Sequence, residues 1–69
     1  MGKVYKKVEL VGTSEEGLEA AIQAALARAR KTLRHLDWFE VKEILGTICE
    51  AWVKEYQVVL EVGFRFEET

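Results

Sequence analysis

The sequence predicts an α+β domain with the element order β-α-β-β: a three-stranded antiparallel sheet and one amphipathic helix. Three observations carry this. Lys3–Val11 alternates with period two, Leu18–Leu33 holds an apolar stripe at helical spacing, and two long extended runs, Asp37–Ile48 and Val53–Phe66, are joined by a short link.

In the first strand Val4, Lys6, Val8 and Leu10 share one face and Tyr5, Lys7, Glu9 and Val11 the other, with Gly12 expected to end it. Thr13-Ser14-Glu15-Glu16 reads as a helix start. Thr13 would cap the third helical amide while Glu16 reaches back, and the acids favour the positive end of the helix dipole. The stripe Leu18, Ala21, Ile22, Ala25, Leu26, Ala29, Leu33 gives the helix one apolar face. Arg28, Arg30, Lys31 and Arg34 crowd its C-terminal half, where cations suit the dipole, and read as a solvated face. His35 reads as a helix-end residue, because it has no companion metal ligands.

The second strand, Trp38–Ile48, breaks its alternation: Phe39 and Val41 oppose Ile44 and Ile48 in parity. A bulge between Lys42 and Leu45 would bring all four to one face. In the third strand Tyr56, Val58, Leu60, Val62, Phe64 and Phe66 should face the helix, while Gln57, Val59, Glu61, Gly63 and Arg65 point away. Cys49-Glu50-Ala51-Trp52 makes these two strands an antiparallel hairpin.

A chain of 69 residues is one domain, 1–69, and too short for a comfortable core. One cysteine and one histidine rule out an intrachain disulfide and a His/Cys zinc set. Self-association is the remaining route to stability, and an apolar content of 49% supports it. A net charge of −2 gives no footprint for nucleic acid, no run is long enough to span a membrane, and the N-terminus lacks a secretory apolar region. A cytoplasmic protein with Cys49 as a free thiol is the expectation.

One helix cannot cover both faces of the sheet. The core face takes Leu18, Ile22, Leu26, Leu33, Val58, Leu60, Val62 and Phe64; the other carries Tyr5, Trp38, Gln57 and Val59. Trp38 and Gln57 are expected near each other there. An indole offers a flat π-surface and a carboxamide both donates and accepts hydrogen bonds, so together they suit a planar heterocycle with a polar edge. No nucleophile–histidine pair or Gly-rich phosphate loop points to turnover, and Gly12-Thr13-Ser14 reads as ordinary helix capping rather than an anion site.

Lys3-Val4-Tyr5-Lys6, Glu9-Leu10-Val11-Gly12-Thr13-Ser14, Lys31-Thr32-Leu33, Trp38-Phe39-Glu40-Val41 and Lys54-Glu55-Tyr56-Gln57-Val58 together resemble the dodecins, small flavin-binding proteins. The resemblance runs from Lys3 to about Glu67. It implies a sheet that partly wraps the helix and a hollow homododecamer. It also implies flavins stacked in pairs between symmetry-related copies of Trp38, with Gln57 on the polar edge of the ring. The implied role is storage and photoprotective sequestration of flavin, without catalysis. FMN is the flavin of bacterial members, with riboflavin or FAD as the other candidates. Coenzyme A is a second ligand of some members, and Arg65 is the position associated with it here.

Four positions depart from the family pattern. Leu45 stands where members carry arginine close to the flavin, which weakens the case for a phosphate-bearing ligand. Cys49 and Trp52 replace small or polar residues at the hairpin, and Phe66 is larger than the usual aliphatic residue. Their clustering is read as an engineered change of interface or pocket. The alternative function that follows is an assembly scaffold with weak or absent flavin binding.

Overall fold

The computed structural model describes residues 2–66. Strand β1 (Tyr5–Ser14) leads to helix α1 (Leu18–Ala29), followed by β2 (Leu36–Cys49) and β3 (Trp52–Arg65). β3 lies in the centre, antiparallel to both neighbours, giving the order β1-β3-β2. The predicted element order and sheet type are those observed.

The alternation of β3 decides which face is the core. Val58, Leu60 and Val62 are fully buried, and the register sets Leu10 and Val8 of β1 beside Leu60 and Val62. The helix lays Ala21, Ala25 and Ala29 on this surface, with Ile22 and Leu26 flanking them. A stripe of alanines allows a close approach, and Gly12 allows it further. A Cβ on Gly12 would collide with the carbonyl oxygen of Ala21 and stand 3.0 Å from the Ala25 Cβ. Gly12 therefore does not end β1. It sits inside the strand, paired with Val58, as the bed of the helix.

The expected capping box does not form. Thr13 and Ser14 stay in the sheet opposite Gln57 and Tyr56, so two ladder positions outcompete a local cap. The Glu16 amide donates to Ser14 Oγ at 2.9 Å, and the helix starts four residues later than the signature suggested, at Leu18, with Gly17 as its uncapped N-terminal residue. The helix also ends earlier, which leaves Lys31, Leu33 and Arg34 beyond it. Leu18, expected in the core, is 38% exposed on the first turn.

The bulge in β2 exists one step earlier than predicted, where the register shifts between Val41 and Glu43. It does what the broken parity required: Phe39, Val41 and Ile44 pair with Val62, Leu60 and Val58 on the helix-facing side. The helix, however, lies across β1 and β3, clear of most of β2. Leu36 reaches the core, but from Val41 to Lys54 every residue is exposed. A helix of this length covers roughly 18 Å, whereas the molecule is 54 Å long. The hairpin is consequently a bare arm, with Ile48 75% and Trp52 78% exposed.

The thiol and the indole at its end are not the turn itself. Cys49 and Trp52 form the last strand pair, and Glu50 and Ala51 make a two-residue turn with φ of 53° and 71°. Both positive angles match the twist of the strands, in a region that side chains enter at a cost of roughly 1–2 kcal/mol each.

Candidate functional site

Trp38 lies on the sheet face opposite the helix, 39% exposed. The register sets it beside Gly63, and a Cβ there would stand 2.5 Å from Cε2 and Cη2 of the indole. The ring thus rests directly on the β3 backbone. Tyr5, reached across β3, meets it edge-on with centroids 5.3 Å apart and planes at 65°. The indole Nε1–H donates to Glu40 Oε2 at 3.0 Å.

Glu40 is itself held. Lys7 on β1 bridges Glu40 (3.2 Å) and Glu61 on β3 (3.1 Å), and Lys42 stands 3.6 Å from Glu61. The indole N–H, and after it the Lys7 ammonium, keep the Glu40 carboxyl below its ordinary range. Hydrogen bonds to Glu61 and Glu40 raise the Lys7 ammonium above its own. Floor, edge and hydrogen bond fix the indole plane from three sides, and a face is left to solvent.

The sign of the Glu40 shift gives a testable pH dependence. A depressed carboxyl contributes at pH values above the ordinary glutamate range, and its contribution is lost as pH falls through the depressed value. In a Trp52→Phe background, the Trp38 emission is expected to change in acid with a midpoint below that of an ordinary glutamate. A midpoint at or above the ordinary value contradicts the assigned hydrogen bond.

Gln57 lies on the same face, in register with Leu45 on β2 and Thr13 on β1; its Nε2 donates to Glu55 Oε1 at 3.4 Å. The expected closeness of Trp38 and Gln57 does not hold within one copy. Six positions of β3 separate Gly63 from Gln57, about 20 Å of strand. The hairpin turn sets this offset: with Cys49 opposite Trp52, Trp38 falls opposite Gly63, and the two shifts between them cancel.

Leu45 is 44% exposed at the Gln57 end. Arg65 lies at the Trp38 end, opposite Tyr5; its Nη2 is 3.5 Å from His35 Nδ1 and it borders a hollow shared with Leu36 and Asp37. His35 turns the chain into β2 with φ 60°. Sequence reasoning missed Glu40, Gly63 and Tyr5 as the cradle of the indole. The Trp38-x-Glu40 spacing, two residues on one strand face, was a usable signal for the first. On the helix side, a groove of ≈ 440 Å³ between α1 and the start of β2 is lined by Leu26, Leu36, Phe39 and Val62, with Arg30 and Asp37 at its rim. Among the described residues no helix is long and apolar enough to cross a membrane, and no group of metal-ligating side chains is present.

Residues 4–67 match the family model described as Dodecin. The chain belongs to the dodecin family. It is 94% identical to a dodecin from Thermus thermophilus over 69 residues, covering 100% of both chains. It superposes on the crystal structure of the tt0972 protein from Thermus thermophilus with a TM-score of 0.94 and 94% identity, over 99% of this chain and 100% of that one. A variant of the T. thermophilus dodecin with alanine in place of arginine at position 45 gives a TM-score of 0.93 and 94% identity, over 97% and 100% of the two chains. The identity leaves about four differing positions. The last structure marks position 45 as one of them, arginine in the relative and Leu45 here.

Proposed function

We propose that this dodecin-family chain is a non-enzymatic flavin-binding protein that stores and light-protects its ligand inside a closed homododecamer. The observation that carries this is the state of Trp38, clamped over Gly63, braced by Tyr5 and Glu40, and open on one face. A preorganised indole suits an electron-poor tricyclic ring. Ring contact also supplies a quencher, because indole is a good electron donor. Gln57 is assigned to the polar edge of the ring. Since about 20 Å of strand separates it from Trp38 in one copy, a site using both takes them from different copies. The bare hairpin supports the same conclusion, since an arm apolar on its helix-facing side needs partner copies to cover it.

Titration of flavin with the purified protein, read by flavin fluorescence, tests this. Saturable quenching is expected; flavin that stays bright at saturating protein sinks the proposal. FMN, riboflavin and FAD are all candidate ligands. A coenzyme A site on the shell through Arg65 is assigned on family likeness, helped by the neighbouring hollow. A second reading, an engineered assembly scaffold that binds flavin weakly or not at all, is favoured by Trp52 and Leu45, two outward apolar side chains on the arm. Native mass spectrometry separates the two: dodecamers with flavin support the first, and flavin-free or altered particles support the second.

A further inference from the structure

The indole of Trp38 is held by a charge, and its orientation alone does not require one. Trp38 and Glu40 stand two residues apart on one face of β2, and the indole Nε1–H donates to Glu40 Oε2 at 3.0 Å. A neutral amide oxygen would hold the ring as well. Glu40 is an anion instead, because the indole N–H and then the Lys7 ammonium keep its carboxyl below the ordinary range. Lys7 meets the same oxygen, Oε2, at 3.2 Å but also serves Glu61 at 3.1 Å, and Lys42 approaches Glu61 at 3.6 Å. A cation shared between two carboxylates offsets each only in part. All of these contacts are made within one copy, so they do not wait on assembly.

We propose that Glu40 tunes Trp38 as an electron donor: its carboxylate eases the loss of an electron from the indole to a photoexcited flavin, and so sets how completely the bound ligand is quenched. The inference rests on the flavin-binding reading above and deepens it. One electron leaves the indole π-system for the photoexcited ring, so the indole is oxidised and the flavin reduced. The electron then returns and restores both, and no bond forms or breaks. While it is away the indole is a cation, with part of its charge on Nε1–H. An anion already aimed at that hydrogen stabilises the charge without reorganising, the advantage that any prepositioned group has at a developing charge. Glu40 is half-exposed, yet one hydrogen-bond length lies far inside the screening distance of salt. Lys7 acts in the opposite sense, and Glu61 weakens that opposition by sharing the ammonium. Glu40 touches the donor and not the ligand, which makes it a positioning residue.

The test compares the parent, Glu40→Gln and Lys7→Gln, all in a Trp52→Phe background that leaves Trp38 as the single indole. Two quantities are read: the one-electron oxidation potential of Trp38 in the flavin-free protein, by square-wave voltammetry, and the excited-state lifetime of bound riboflavin. Glu40→Gln keeps an oxygen that accepts the Nε1 hydrogen bond but removes the charge. It is expected to raise the potential and to lengthen the riboflavin lifetime by about tenfold or more. Lys7→Gln removes the opposing cation and is expected to lower the potential, a change of opposite sign that a merely loosened ring would not give. Both side chains are outside the buried cluster, and either variant alone decides the sign. A potential unmoved by Glu40→Gln overturns the proposal and leaves Glu40 as an orienting group only. Shifts of the same sign in both variants overturn it too, as does an unchanged riboflavin lifetime in Glu40→Gln. Riboflavin that stays bright at saturating parent protein removes the flavin reading and this inference with it; quenching that survives Glu40→Gln undiminished removes the inference alone.

Discussion

Replacing Trp38 with alanine is expected to weaken flavin binding by roughly 1–3 kcal/mol, the range found for a planar base stacked on an aromatic side chain. In dissociation constant that is about 5- to 150-fold. Residual bound flavin should also regain much of its fluorescence, because the donor in ring contact is gone. The effect can be separated from folding. Trp38 lies on the face away from α1 and outside the buried cluster, so its truncation removes no core contact. Trp38→Phe is the informative companion. It keeps a π-face above Gly63 but loses the N–H that Glu40 accepts, so the ring is less firmly oriented and a smaller loss is expected. Equal affinity and equal quenching in Trp38→Ala would show that the indole is not part of the site.

Gly12→Ala should damage the fold itself. The added methyl has no free space, since it points at the Ala21 carbonyl and the Ala25 Cβ. Both belong to the helix that covers the core, and backbone does not move aside as a flexible side chain does. The helix must lift from β1 along the alanine stripe, opening the contact with Val58, Leu60 and Val62. Overpacking of this kind costs about 1–3 kcal/mol, a large share of the stability available to so small a domain. Thermal unfolding of the assembled protein measures it. A melting temperature within a degree of the parent would mean that the helix does not sit as close to Gly12 as described.

The contrast between these two sites shows what the sequence carried. The strand faces were legible because period two is geometric: Val58, Leu60 and Val62 alternate with Gln57, Val59 and Glu61, and nothing but a strand places them so. The irregularity in β2 was legible for the same reason, since Phe39, Val41 and Ile44 cannot share a face without an extra residue. The stretch from Gly12 to Glu16 misled because it satisfies two local rules at once. A Gly followed by Thr-x-x-Glu is a strand end and a helix cap by local chemistry, yet Gly12, Thr13 and Ser14 gain sheet partners in Val58, Gln57 and Tyr56 that no local window shows. The candidate site was half legible. Trp38 and Gln57 could be placed on the outer face by parity, and a turn with Cys49 opposite Trp52 already counts Trp38 to Gly63, six positions from Gln57, because the two shifts between them cancel. Gly63 as the floor of the indole depends on that same register.

Under the proposed function, the offset between Trp38 and Gln57 would link ligand affinity to mass action among protein copies. A pocket whose flat wall and polar edge come from different molecules does not exist in a solitary chain, however well each half is built. Dilution would then empty such a store without any change in its ligand, and flavin, by bridging the copies, would in turn resist their separation.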